Sequence, residues 1–179
     1  GKKTIFSSCF GADNIGEEIM KRLKKEGIDC SNVTIKGDGK TPYSFVQVNK
    51  NTGERAIAFF QGSKNLASFN SGTEDSIRKS SILLIDGLLP EENLKAARCA
   101  RENNIKVMID ANMLFENTKE ILNYANYIIT SKTFLSEYSG SDNIEYSLKK
   151  IQEEINPEIL VTTLGKDGSV SLKDGGLLR

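Results

Sequence analysis

The 179-residue sequence predicts an α/β fold built on a mostly parallel sheet. Three observations carry that expectation. Short apolar runs, as in strands buried on both faces, recur at residues 82–85, 105–109, 127–130 and 159–163. Helical spacing separates them, most clearly at Ile144, Leu148, Ile151 and Ile155. The runs stop on turn or polar residues, at Asp86-Gly87, Asp110, Ser131-Lys132 and Gly165.

Composition narrows the class. Hydrophobic residues make up 38% and charged residues 27%, which suits neither a disordered nor a membrane chain. No apolar run approaches the roughly 20 residues of a membrane helix. Lys+Arg and Asp+Glu balance at 24 each, so nothing in the charge calls for nucleic acid or a membrane surface as partner. The absence of histidine removes Ser-His-Asp and Cys-His catalysis and histidine-ligated zinc. Cys9, Cys30 and Cys99 are odd in number and far apart, as expected of thiols in the reducing cytoplasm. Gly1-Lys2-Lys3 runs directly into a strand, so no signal peptide is expected.

In order, residues 4–9 read as a strand leading into Gly11-Ala12-Asp13-Asn14-Ile15-Gly16. Asp13 or Asn14 can cap a helix over residues 15–26 that buries Ile15, Ile19 and Leu23, and Gly27 ends it. Residues 33–35 form a brief strand before the Gly37-Asp38-Gly39 turn. Residues 41–61 differ in texture. Phe45, Gln47 and Asn49 alternate with Ser44, Val46 and Val48, and Asn49-Lys50-Asn51-Thr52-Gly53 makes a turn from which residues 55–60 return. This is an antiparallel hairpin inserted in an alternating α/β chain. It serves as a lid or an oligomer contact, or it packs on its own domain.

Residues 61–72 are polar and irregular, and residues 73–78 make one or two helical turns. Residues 81–112 are the clearest strand–helix–strand unit. Pro90 opens the helix, Glu91 and Glu92 suit its dipole, Leu94, Ala97 and Arg101 share a face, and Asn103-Asn104 close it. The flanking strands should be parallel, joined by a right-handed crossover. Thr118 caps a short helix holding Ile121 and Leu122, and residues 133–138 form another that Gly140 closes. Pro157 breaks the helix that begins at Ile144. A turn at residues 165–168 leads to a strand at 169–172, and residues 173–176 make a final turn.

Asp86 and Asp110 stand at carboxyl ends of strands, where open α/β sheets bind ligands. Each can equally cap the element that follows. The turn Gly165-Lys166-Asp167-Gly168 can bring backbone N–H groups to a phosphate, or be an ordinary hairpin turn. It is neither a Walker A loop nor a Rossmann fingerprint.

Six segments in this order resemble the ribokinase-type (PfkB) sugar kinases. Gly11-Ala12-Asp13-Asn14-Ile15-Gly16 resembles their G-x-D-x-x-G, and Glu26-Gly27-Ile28-Asp29 with Val33 their EGVD…V. Thr41-Pro42-Tyr43-Ser44 through Gly53-Glu54-Arg55 resembles their β-lid with its G-x-R. Asp110-Ala111-Asn112 resembles D-x-N, and Thr162-Thr163-Leu164-Gly165-Lys166-Asp167-Gly168-Ser169 the nucleotide-contacting TLG-x-x-G. Where the family commonly has N-x-x-E, Ser131-Lys132-Thr133-Phe134 is closer to ketohexokinase-like members.

The resemblance implies a ribokinase-like three-layer sandwich with a mostly parallel sheet and a small antiparallel β-lid, incomplete at both ends. It forms a single α/β domain over residues 1–179 with the lid at 41–61. The resemblance places the Gly-Gly-Asn sugar segment before Gly1 and the D-T-x-G-A-G-D segment, with the base, after Arg179. The implied activity is ATP-dependent phosphorylation of a sugar hydroxyl by the full-length parent, with ATP and Mg2+ as cofactors. The 179-residue chain itself is expected to be inactive, and the alternative is a non-catalytic nucleotide- or sugar-binding module. The implied nucleotide contacts are Thr163, Leu164, Gly165, Lys166, Asp167, Gly168, Ser131, Lys132 and, from the lid, Arg55. On the substrate side stand Asp13, Thr41, Asp86 and Asp110. No catalytic residue or metal ligand is assigned, and a homodimer through the lid is implied.

Overall fold

The computed structural model describes residues 2–63, 69–87, 90–173 and 176–179. The chain divides into two compact units, residues 1–73 and 74–179.

The first unit opens with β1 (Ile5–Gly11), which pairs in parallel with β2 (Asp29–Lys36) through the intervening helix α1 (Asn14–Lys25). Asp13 caps α1 by accepting from Gly16 N–H at 2.9 Å, and Gly27 leaves it with φ of 75°. The strand expected at residues 33–35 is thus the core of a longer one. Burial of Ile15, Ile19 and Leu23 is not observed as expected. Ile15 is exposed, Ile19 and Leu23 are half-buried, and Gly16 is the buried residue of the helix. The reason is width: two strands about 5 Å apart underlie a helix about 10 Å across. Burial in this unit therefore concentrates at the end of β1, at Cys9, Phe10 and Gly11.

The expected hairpin is present as β3 (Tyr43–Val48) and β4 (Arg55–Phe60), a separate two-stranded antiparallel sheet with Tyr43 opposite Phe60 and Val48 opposite Arg55. Asn49 shapes its turn, its side-chain oxygen accepting from the N–H groups of Asn51 and Thr52 at 2.9 and 3.3 Å. Both faces are exposed, not one. Phe45 and Phe59, on opposite faces, are 69% and 59% accessible. The irregular stretch expected at 61–72 lies partly outside the described residues, at 64–68.

Helix α2 (Ser71–Arg78) leads into the second unit. There β5 (Ile82–Ile85), α3 (Pro90–Glu102), β6 (Lys106–Ala111), α4 (Thr118–Leu122), β7 (Tyr127–Ser131), α5 (Lys132–Ser139), α6 (Ile144–Ile155), β8 (Ile159–Thr163), β9 (Ser169–Lys173) and β10 (Gly176–Leu178) follow. The sheet runs β10-β9-β8-β7-β6-β5, parallel from β5 to β8 and antiparallel from there to β10. Its core joins Val107, Ile109, Ile128 and Leu160 to Ala97 and Ala100 of α3, Phe134 and Leu135 of α5, and Leu148 and Ile151 of α6. Each fully buried aliphatic or aromatic side chain of this kind contributes about 1.5–3 kcal/mol.

Three local expectations change in this unit. β5 is not buried on both faces: Ile82 is 44% and Leu84 64% exposed, because β5 stands at the end of the strand order with β6 as its neighbour. Thr118 does not cap α4. It is the helix's first residue and its hydroxyl accepts from Phe115 N–H at 2.9 Å, while Asn117 holds the cap position at φ of 66°. Asp110 lies within β6, one residue short of its end. The turn expected at residues 173–176 falls partly outside the described residues. Among the described residues no helix is long and apolar enough to cross a membrane. Cys9 and Cys99 are buried, unbridged thiols, and burial pushes both up from the usual thiol range.

Candidate functional site

Sequence-selected residues gather in two places, one in each unit. In the second, register builds the site. Ile85 pairs with Ile109, so Asp86 leaves the sheet level with Asp110. Ala111 pairs with Thr130, and Ser131 with Thr163. The carboxyl ends of four parallel strands thus present Asp86, Asp110, Ser131 and Thr163 along one edge, where a doubly wound sheet collects ligands. Local bonds hold this row. Asn112 donates from its amide to Asp110 at 3.3 Å, and the Ser131 hydroxyl donates to the Asn112 carbonyl at 3.1 Å. Ser131 also caps α5, accepting from Phe134 N–H at 3.1 Å. Lys132 is exposed in the first turn of that helix. Asn112, part of the D-x-N segment but not selected, proves to be the brace between Asp110 and Ser131.

Beyond Thr163 the chain makes a single 3-10 turn, Gly165–Asp167, closed by Leu164 N–H to the Gly168 carbonyl at 2.7 Å. Gly165 and Gly168 have φ of 61° and 84°, and a Cβ on either would meet nothing within 4 Å. Backbone conformation therefore demands both glycines, and the space in front of them is open. Leu164 is half-buried, whereas Lys166 and Asp167 are exposed at the turn's crest.

In the first unit Asp13 and Thr41 meet directly. Thr41 donates to the Asp13 carboxylate through both its N–H, at 2.9 Å, and its hydroxyl, at 2.7 Å, and Gly11 N–H donates to that hydroxyl at 3.0 Å. The Gly16 N–H bond, then the Thr41 hydroxyl and amide, hold the Asp13 carboxyl down at about 2. Thr41 is 1% exposed, and its polar atoms are occupied. An open cleft of about 600 Å3 lies beside the pair, lined by Asp13, Asn14, Lys40, Tyr43 and Phe60 among others. The Tyr43 and Phe60 rings form one wall, their centroids 5.1 Å apart. Arg55, by contrast, stands at the hairpin tip, about 17 Å from the root at ordinary strand rise, and exposed. Gly62 and Ser63, at the root, escaped sequence reasoning. A lone glycine just past a strand was the available signal.

Among the described residues no three His, Cys, Asp or Glu side chains converge as a metal cage would require.

Comparison with known proteins shows the family and the fold. A family model described as "pfkB family carbohydrate kinase" matches residues 1–179. A ribokinase of Lactococcus lactis subsp. lactis is 26% identical over 174 residues, which cover 94% of this chain and 54% of that protein. A mouse ketohexokinase is 20% identical, covering 99% of this chain and 63% of its own length. The chain thus spans somewhat more than half the length of these relatives. Among solved structures, a Halothermothrix orenii fructokinase superposes with a TM-score of 0.83 at 19% identity, over 100% of this chain and 68% of the other. An Arabidopsis thaliana ribokinase complexed with ribose and ATP superposes at 0.80 and 18% identity, over 99% and 60%. The fold is ribokinase-like, a mostly parallel sheet with a small antiparallel one.

Proposed function

The chain belongs to the pfkB family of carbohydrate kinases, and from that premise we propose that the whole protein transfers the γ-phosphoryl group of ATP to a hydroxyl of a sugar or sugar-like acceptor. What supports this reading most is the row of strand ends, where Asp86 stands level with Asp110 and Ser131 with Thr163, and an open glycine turn follows Thr163. Phosphoryl transfer rests on positioning and charge stabilisation, which such an edge can supply.

In this reading the turn from Thr163 through Leu164, Gly165, Lys166, Asp167 and Gly168 receives the nucleotide. Ser131 and Lys132, at the start of α5, lie toward its phosphates, and Arg55 is a further nucleotide contact. Asp86 and Asp110 face the acceptor. Magnesium would supply charge stabilisation to the nucleotide's phosphates. No residue here is assigned to it. The hairpin, apolar and exposed on both faces, is a lid and the contact between two copies of the protein. The three unbridged thiols fit a reducing cytoplasm.

The test is a coupled kinase assay on the whole protein with ATP and a panel of pentoses, hexoses and their keto and deoxy forms, run beside ATP-analogue binding. Saturable turnover of one sugar is the expected result. Analogue binding without turnover of any sugar favours a non-catalytic binding module, and failure of both rejects the reading.

A further inference from the structure

We propose that Asp13 is a positioning residue, which locks the root of the β3–β4 hairpin to the start of α1 so that the hairpin bends only beyond Thr41. The inference rests on the reading of the hairpin as a lid, and it assigns Asp13 and Thr41 to holding that lid in place of contacting the sugar.

Four backbone segments converge at the root: the end of β1, the start of α1, the segment 40–42 that enters the hairpin and the segment 62–63 that leaves it. Glycines stand where they touch. A Cβ on Gly11 would lie 2.2 Å from the Gly39 carbonyl oxygen and 2.8 Å from Lys40 Cα. One on Gly16 would lie 2.5 Å from the Gly11 oxygen and 2.9 Å from the Thr41 hydroxyl, and one on Gly62 2.5 Å from the Lys40 oxygen. These neighbours are mostly backbone, which no rotamer change can move aside. The two lid strands are also tied to each other, by Ser63 N–H to the Lys40 carbonyl at 3.0 Å and Lys40 N–H to the Ser63 hydroxyl at 2.7 Å.

Asp13 fastens this knot to the helix. Capping α1 needs only the one bond from Gly16 N–H to Oδ1. The same oxygen also accepts the Thr41 hydroxyl, and Oδ2 accepts the Thr41 N–H, from 28 residues away in sequence. A cap has no use for those two bonds, whereas a lid root does. The packed root gives way abruptly to a hairpin exposed along its whole length. Its bending points are therefore the junctions just beyond the packed root, residues 42–43 on the way out and residues 60–61 on the return.

The whole protein carrying Asp13→Asn, Thr41→Val, both, or Thr41→Ser provides the test. Both single variants weaken the same tie, Thr41→Val by removing the hydroxyl bond and Asp13→Asn by removing the carboxylate's charge, so each should raise the acceptor KM about tenfold, the size of one charge-assisted hydrogen bond. The kcat should fall less, and the double variant should be no worse than the worse single one. Thr41→Ser keeps the hydroxyl and should behave as wild type. Amide hydrogen exchange at residues 41 and 55–63 should quicken in Asp13→Asn and Thr41→Val alike.

Three results would overturn the proposal. One is additive damage in the double variant. Another is a silent Thr41→Val beside a crippled Asp13→Asn, the pattern of a carboxylate that touches the acceptor itself. The last is unchanged exchange at the root in both single variants. If Asp13→Asn fails to fold, the Val and Ser variants at residue 41 still decide. If the whole protein phosphorylates no sugar, the kinase reading fails while exchange at the root decides the tie by itself.

Discussion

Asp13 and Gly168 each stand out in the sequence as motif residues, and in each case the fold supplies a reason that sequence spacing cannot. The Asp13 carboxyl is held at about 2 by bonds from the Gly16 amide, the Thr41 hydroxyl and the Thr41 amide. An unfolded aspartate titrates near 3.9. The group is thus depressed on folding, and its contribution to stability is complete above about pH 4 and lost as pH falls toward about 2. Denaturant unfolding measured from about pH 5 to pH 2 should show a shallower acid limb for Asp13→Asn than for wild type. Equal slopes would mean that the Thr41 bonds do not survive in solution. Glu18, Asp29 and Glu158 are also lowered, by Arg22, by Ser31 and by Lys106 respectively, so an acid limb persists in the variant. Gly168 needs its positive φ, so Gly168→Val should lower stability by about 1–3 kcal/mol, read from the melting temperature. Lys166, exposed two residues earlier in the same turn, should tolerate alanine without loss of melting temperature while weakening ATP-analogue binding. Unchanged analogue affinity in Lys166→Ala would remove that lysine from the nucleotide contacts. Asp13 was legible as a cap because its partner lies three residues on. The bonds from Thr41 to Asp13 were not legible, because no local pattern encodes a partner 28 residues away.

Hairpin, helix and strand differ in how fully their surroundings were written into their own residues. The β3–β4 hairpin carries its own instructions, alternating residues and an Asn-rich turn, and the antiparallel pair forms as expected. A helix or a strand states only its own apolar face. Ile82 and Leu84 are as apolar as the buried Ile85 of their strand, and Ile15 is as apolar as any residue of its helix, yet all three are exposed because α1 overlies two strands and β5 ends a sheet. Sequence reports what a face wants, and the number of neighbours decides what it gets. The hairpin offers the cleanest test at this scale. Phe45 and Ile57 project from opposite faces, are 69% and 57% exposed, and touch no buried core. If two copies meet through the hairpin, Phe45→Glu and Ile57→Glu should halve the mass seen by light scattering while shifting the melting temperature little. A wild-type protein that is already monomeric would leave the apolar hairpin as a lid alone.

At the scale of the whole molecule, the order of six modest motifs proved more informative than any one of them, and the family match covers residues 1–179 as that order implied. The parallel succession of β5 to β8 was legible from apolar runs alternating with helices. The division into two compact units was not, because no change of composition marks residue 73. The change of strand direction at β8 has a further consequence, in time instead of space. Each parallel strand must wait for a partner delivered by a crossover helix, as β5 waits for β6 some 24 residues on. β8 meets β9 across a turn only a few residues long, and β10 adds to β9 in the same way. Contacts so near in sequence close fast, in microseconds for a typical hairpin. In pulse-labelled exchange during refolding, protection at Val161 and Ser171 should therefore appear no later than at Leu83. The glycine turn at residues 165–168, proposed above as the nucleotide contact, would then be among the first parts of the molecule to take shape, before the parallel sheet edge beside it has assembled.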